Sequence, residues 1–154
     1  MRDATLCYPI EDGRVLLIEK KRGVGEGFFN GPGGKIEPGE TPREAAVREV
    51  REEVGLAASN LEKVGELGFT FGDEPFTFVH VYRTETFVGR PRETDEAVPE
   101  WFAFDEVPYD EMWADDRRWL PHVFEGRRFA GEFVFDAEGE EFLDGDVETG
   151  VTFD

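Results

Sequence analysis

A single cysteine, four lysines and no apolar run near the length of a membrane span are what this 154-residue chain has least of. Each scarcity excludes something. One thiol, Cys7, rules out an internal disulfide, and its place in a predicted strand makes it a buried, inert thiol by default. Without a run of about 20 apolar residues, or a basic segment leading into an apolar one at the N-terminus, no membrane span or leader is read and a cytoplasmic protein is expected. The shortage of bases matters most: 17 Lys and Arg stand against 36 Asp and Glu, for a formal charge of −19. Nucleic-acid backbones are bound by neutralising phosphates with cations, so no nucleic-acid partner is expected. The acids run along the whole chain, which suits a protein working in high salt, where the Debye length shrinks to about 3 Å at 1 M and self-repulsion is screened.

The length is that of one domain, 1–154, with no internal repeat and no linker to divide it. Strands are predicted at 4–10 and 14–21, joined by a two-residue turn at Asp12-Gly13, then at 62–71, 76–88 and 99–104. Strands at 129–135 and 140–148 form a closing hairpin about Glu138-Gly139. Helices are expected at about 41–55 and 116–125. Gly23, Gly25, Gly27, Gly31, Gly33 and Gly34 make a glycine-rich stretch whose backbone N–H groups suit phosphates, although flexibility alone also explains it. The acidic segment Asp136–Asp146 fails the EF-hand ligand spacing and reads as a charged hairpin.

The most informative segment is Gly34-Lys-Ile-Glu-Pro-Gly-Glu40-Thr-Pro-Arg-Glu-Ala-Ala-Val-Arg48-Glu49-Val50-Arg-Glu52-Glu53-Val-Gly55-Leu56. Thr41 can cap the helix, Pro42 suits its first turn, Glu44 completes a capping box and Gly55 can end it left-handed. Ala46, Val50 and Val54 form a stripe to bury, with Glu49, Glu52 and Glu53 on an adjoining face. Acids at a helix C-terminus oppose the macrodipole, and like charges four apart repel. Breaking both rules at once points to a hard divalent cation, while in so acidic a chain a merely solvated face is the plainer reading of three glutamates alone. Arg48, one turn before Glu52, can hold and orient these carboxylates, or form a surface ion pair.

The full spacing resembles the Nudix box, Gly-x5-Glu-x7-Arg-Glu-U-x-Glu-Glu-x-Gly-U with U a bulky aliphatic, matched at every fixed position with Val50 and Leu56 as U. The resemblance implies an α/β fold, a Nudix α/β/α sandwich with a mixed sheet and a catalytic loop-helix-loop. It implies Mg²⁺, with Mn²⁺ as an alternative, held by Glu49 and Glu53, with Glu52 a further ligand or bridge, the Gly34 carbonyl another, and Glu96 a ligand or base. Glu53, Glu52 and Glu96 all remain candidates for the general base, and Glu40 is a structural member of the box.

Beyond the box, the chain is similar to the branch that hydrolyses oxidised purine nucleoside triphosphates to monophosphate and pyrophosphate, sanitising the nucleotide pool. Lys20-Lys21-Arg22-Gly23, Asn30-Gly31-Pro-Gly33-Gly34-Lys35, Phe69-Thr-Phe71, Val79-His80-Val81, Asp95-Glu96 and Met112-Trp113-Ala-Asp115-Asp116 are among the segments that carry the similarity. By this resemblance Asn30, Phe69, Phe71, Trp113, Asp115 and Asp116 form a base pocket with Thr5 and Lys20 at its edge, and the partner is a small-molecule nucleotide bound by a monomer. Two neighbouring carboxyls can share a proton, one donating and one accepting, and so read an oxidised base. The plainer readings are an N-cap and first-turn acid for Asp115 and Asp116, core packing for the aromatics, a snorkelling Lys20, and a strand residue in His80. Val24 and Phe29 stand where that branch carries bulkier aromatics, which implies a wider or shallower pocket. The rival functions are hydrolysis of another nucleoside diphosphate compound, such as ADP-ribose or a dinucleotide, and a non-catalytic nucleotide sensor.

Overall fold

The computed structural model describes residues 2–22, 26–74, 76–138 and 141–153. Gly23, Val24, Gly25 and the Gly139 half of the expected closing turn lie outside the described residues. In chain order the elements are β1 (Arg2–Glu11), β2 (Arg14–Lys20), β3 (Phe29–Asn30), β4 (Gly33–Lys35), α1 (Pro42–Val54), β5 (Ala57–Ser59), β6 (Glu62–Phe71), β7 (Thr77–Thr84), β8 (Thr86–Val88), β9 (Ala97–Ala103), α2 (Asp116–Glu125), β10 (Phe129–Phe135) and β11 (Phe142–Thr149). Among the described residues, nine strands form one mixed sheet in the order β11-β10-β6-β7-β1-β2-β3, with β4 pairing β1 and β9 pairing β2. β1 with β7 and β10 with β6 are parallel, and the other sheet pairs are antiparallel. No helix among the described residues is long and apolar enough to cross a membrane.

Strand alternation divides the core in two. Tyr8, Val15, Leu17 and Val81 face one cluster with Trp119, Leu120 and Val123 of α2, whereas Cys7, Leu16, Ile18 and Tyr82 face a second with Ala46, Val50 and Val54 of α1. Because neighbouring strand residues point to opposite faces, the two helices cover opposite sides of the sheet. Val50 and Val54 are fully buried, each contributing about 2 kcal/mol by removal from water. Cys7 is buried and free, and burial pushes its thiol up to about 12.

The box helix forms for the local reasons its sequence supplies. Thr41 accepts from the Glu44 N–H, the Glu44 carboxylate accepts from the Thr41 N–H at 2.9 Å, and Gly55 closes the helix at φ +79° with its N–H on the Arg51 carbonyl. Asp12 (φ +53°) and Gly13 (φ +74°) make the expected tight turn between β1 and β2. The expected 76–88 strand is instead two, interrupted at Glu85, and β8 leaves the main sheet to pair with β5.

Candidate active site

A cavity of about 260 Å³ opens where β1, β2, β3, β4, β6 and the start of α2 converge. Its lining includes Thr5, Lys20, Asn30, Gly34, Glu53, Phe69, Phe71, Trp113, Asp115 and Asp116, which are residues from seven separate places in the chain. Every pocket residue singled out from sequence therefore borders one space. Arg48, Glu49, Glu52 and Glu96 are not part of that lining.

The aromatic wall is continuous. The Phe69 and Phe71 rings stack at 6.1 Å, and Trp113 meets Phe71 edge-on at 6.2 Å and Phe135 at 6.1 Å. Phe28, which lies outside the lining, sets its ring against Trp113 at 5.5 Å. Asn30 donates through its side-chain amide to the Phe28 carbonyl at 3.4 Å. Thr5 is 1% exposed, and its hydroxyl has no hydrogen-bond partner among the described residues. A buried polar atom left without a partner at a cavity wall is the kind a ligand satisfies.

Asp115 and Asp116 stand at the N-cap and first-turn positions that the plainer reading expected, but they are buried there, at 2% and 6% exposed. Asp115 occupies the N-cap position with helical dihedrals and makes no side-chain cap bond. Its carboxylate instead accepts from the indole Nε1–H of Trp119 at 2.7 Å. Burial pushes the Asp115 carboxyl up to about 6, with the Trp119 bond opposing the rise. Burial, and then the neighbouring Asp115, push Asp116 well above the usual carboxylate range. Both carboxyls are raised, Asp116 the further, so the pair can share one proton near neutral pH. Trp119, one turn after Asp115, was not identified from sequence; the i, i+4 spacing of an acid and an indole was the available signal.

Glu53, also in the cavity lining, is 3% exposed and accepts from the Gly33 N–H at 2.9 Å. Burial pushes its carboxyl up to about 8, the Gly33 N–H opposes the rise, and the neighbouring Glu49 adds to it. Glu49 is also raised, chiefly by burial. Gly34 lies directly against it: a Cβ there would fall 2.7–2.8 Å from the Glu49 carboxylate atoms. Arg48 organises the rest, donating to Glu40 at 2.7 and 3.0 Å, Glu49 at 2.7 Å, Glu52 at 3.2 Å and the Lys35 carbonyl at 3.0 Å. With 22% of its side chain exposed it is a hub rather than a surface pair, and Glu40 is the structural member the sequence implied.

The Glu49 and Glu53 carboxyls thus lie beside each other with Gly34 against Glu49, and carboxylate oxygens are donors suited to Mg²⁺ or Mn²⁺. Glu52 stays largely exposed on Arg48, and Glu96 is exposed with its carboxylate 3.8 Å from Arg22. Among the described residues, no three acidic, histidine or cysteine side chains are close enough to form a cation site. His80 is a β7 residue 3.0 Å from Lys63 and does not border the cavity.

The family model described as the NUDIX domain matches residues 1–123. The chain is 46% identical over 132 residues to an oxidized purine nucleoside triphosphate hydrolase of Danio rerio and 41% identical over 132 residues to one of Mus musculus, covering 85% of each chain in both cases. A crystal structure of a mutator MutT protein from Bacillus halodurans superposes with a TM-score of 0.86 at 28% identity, over 96% of this chain and 98% of that one.

Proposed function

The chain belongs to the Nudix family, and from that premise we propose that it hydrolyses oxidised purine nucleoside triphosphates to the monophosphate and pyrophosphate. One observation carries the choice of substrate: two adjacent buried carboxyls, one bonded by Trp119, line the same aromatic cavity as Glu53. An oxidised purine such as 8-oxoguanine has an N–H and a carbonyl where guanine has a bare ring nitrogen and a C–H. A protonated carboxyl beside an ionised one offers a donor and an acceptor to such an edge. Asn30 offers an amide in the same lining, Trp113, Phe69 and Phe71 supply apolar faces for the ring, and the buried Thr5 hydroxyl is a further group for a ligand. Lys20, at the cavity edge, places a cation near the phosphates.

The metal reading rests on Glu53 and the residues beside it. Glu49, Glu53 and the Gly34 carbonyl would hold Mg²⁺, with Mn²⁺ able to replace it and with Glu52 and Glu96 as further ligands. When bound, the ion supplies neutralisation of the phosphate chain and a lowered pKa for the attacking water. Glu53, Glu52 and Glu96 are the acids available to take the water's proton, and Arg48 keeps Glu49 and Glu52 aimed by direct hydrogen bonds.

The same reading takes 1–154 as one domain, because β10 and β11, beyond the matched segment, hydrogen-bond into the same sheet through β6. It takes the protein as a cytoplasmic monomer acting on a small nucleotide, in high salt if the charge of −19 is an adaptation. The test is selectivity. Asp116→Asn should lower kcat/KM for 8-oxo-dGTP about tenfold or more while leaving dGTP and ADP-ribose little changed, because a site built to hydrogen-bond a group discriminates strongly through it. Equal loss on every substrate would assign Asp116 to folding and remove the base-reading role.

A further inference from the structure

A helix leaves its last carbonyls without partners inside the helix, and in α1 those carbonyls belong to the turn that carries Glu52 and Glu53. A strap formed by residues 92–97 takes them up. The Arg92 N–H donates to the Val54 carbonyl at 2.9 Å, and the Thr94 hydroxyl donates to the carbonyl of Glu53 itself at 2.9 Å. The same Thr94 oxygen accepts from the Glu96 N–H at 3.3 Å. The Thr94 N–H is anchored on the Ala97 carbonyl at 3.0 Å, and the Glu96 carbonyl accepts from Lys21 at 2.9 Å.

One hydroxyl therefore touches the backbone of two of the proposed metal carboxylates, as donor to one and acceptor from the other. We infer that Thr94 is a positioning residue: its bridge between the Glu53 carbonyl and the Glu96 N–H sets the distance of the Glu96 loop from the end of the catalytic helix, and so determines whether Glu96 can join Glu49 and Glu53 around a divalent cation. The inference rests on the reading of those acids as cation ligands. It explains how an exposed Glu96, paired only loosely with Arg22, is kept beside the helix. No other side chain among the described hydrogen bonds joins these two residues. A hydroxyl is required at 94 because only a group that both donates and accepts completes the bridge. Valine has the same shape and neither capacity; serine has both.

The experiment measures Mn²⁺ affinity by electron paramagnetic resonance, without substrate, for wild type, Thr94→Val, Thr94→Ser, Glu53→Gln, Glu96→Gln and the Thr94→Val/Glu96→Gln double variant, with kcat and KM measured alongside. Thr94→Val should weaken Mn²⁺ binding about tenfold, the usual size for a group that orients a metal ligand. It should lower kcat with little change in KM, Thr94→Ser should restore both, and Thr94→Val should add nothing in the Glu96→Gln background. Wild-type Mn²⁺ affinity in Thr94→Val, or an equal further loss in the double variant, would overturn the inference while leaving the metal site standing. Unchanged Mn²⁺ affinity in Glu53→Gln would overturn the site reading and the inference with it. If Thr94→Val does not fold, as judged by circular dichroism, Thr94→Ala is read by the same criteria.

Discussion

Burying Asp115 costs stability, and the cost has a pH signature that Asp115→Asn should remove. Asparagine keeps the shape and an oxygen that can still accept from Trp119, but it cannot ionise. The Asp115 carboxyl rises from 3.8 to about 6 on folding, mainly through burial. A carboxyl with a raised folded pKa contributes stability that is fully present below the unfolded value and is lost as pH climbs through the folded one. At about 1.4 kcal/mol per pH unit the whole loss is about 3 kcal/mol, roughly half of it between pH 5 and pH 8. Relative to wild type, Asp115→Asn should therefore gain about 1.5 kcal/mol over that range, or about 3–6 °C in Tm for a chain of this length. Urea unfolding of both proteins at pH 5 and pH 8, in one high-salt buffer, measures it. Turnover of the oxidised purine should fall in the same variant, since an acid kept at a cost to stability is kept for another purpose. A stability difference independent of pH would refute the claim that this carboxyl is buried in a proton-retaining site.

Three further outcomes follow from other parts of the molecule. Gly34→Ala should leave the fold intact by circular dichroism yet lower Mn²⁺ affinity about tenfold, because the added methyl would occupy the space of the Glu49 carboxylate; unchanged affinity would remove Gly34 from the site. Arg48→Gln should destabilise by about 2 kcal/mol in urea titrations, since Glu40 and Glu49 lose their charge-assisted partners. Raising KCl from 0.1 to 1 M at pH 7.5 should increase Tm by screening a net charge of −19, and a flat salt profile would argue against high-salt adaptation.

The box was legible because its rules are local. Thr41, Pro42, Glu44 and Gly55 act within a few residues, and the structure uses each as its type suggests. The Asp12-Gly13 turn was legible for the same reason. Strands β3, β4 and β5 were not, since two or three residues carry no period, and their pairing depends on partners far along the chain. The split at Glu85 was hidden because β7 and β8 are both rich in β-formers, while only the fold decides that β8 pairs with β5. In the site, the residues that resemblance named for a base pocket line one cavity, yet the state of Asp115 depended on Trp119 and on burial, which no spacing of acids shows. Glu96 is the opposite case: its place beside α1 is visible only through Thr94 and the backbone around it.

The central claim is that one cavity joins an oxidised-base reader to a metal-dependent hydrolase centre. Its most direct test is pyrophosphate release with Mg²⁺ from 8-oxo-dGTP and dGTP, for wild type and Glu53→Gln. The account predicts a preference for the oxidised nucleotide and loss of both activities in the variant; equal turnover of the two nucleotides, or full activity in Glu53→Gln, would contradict it.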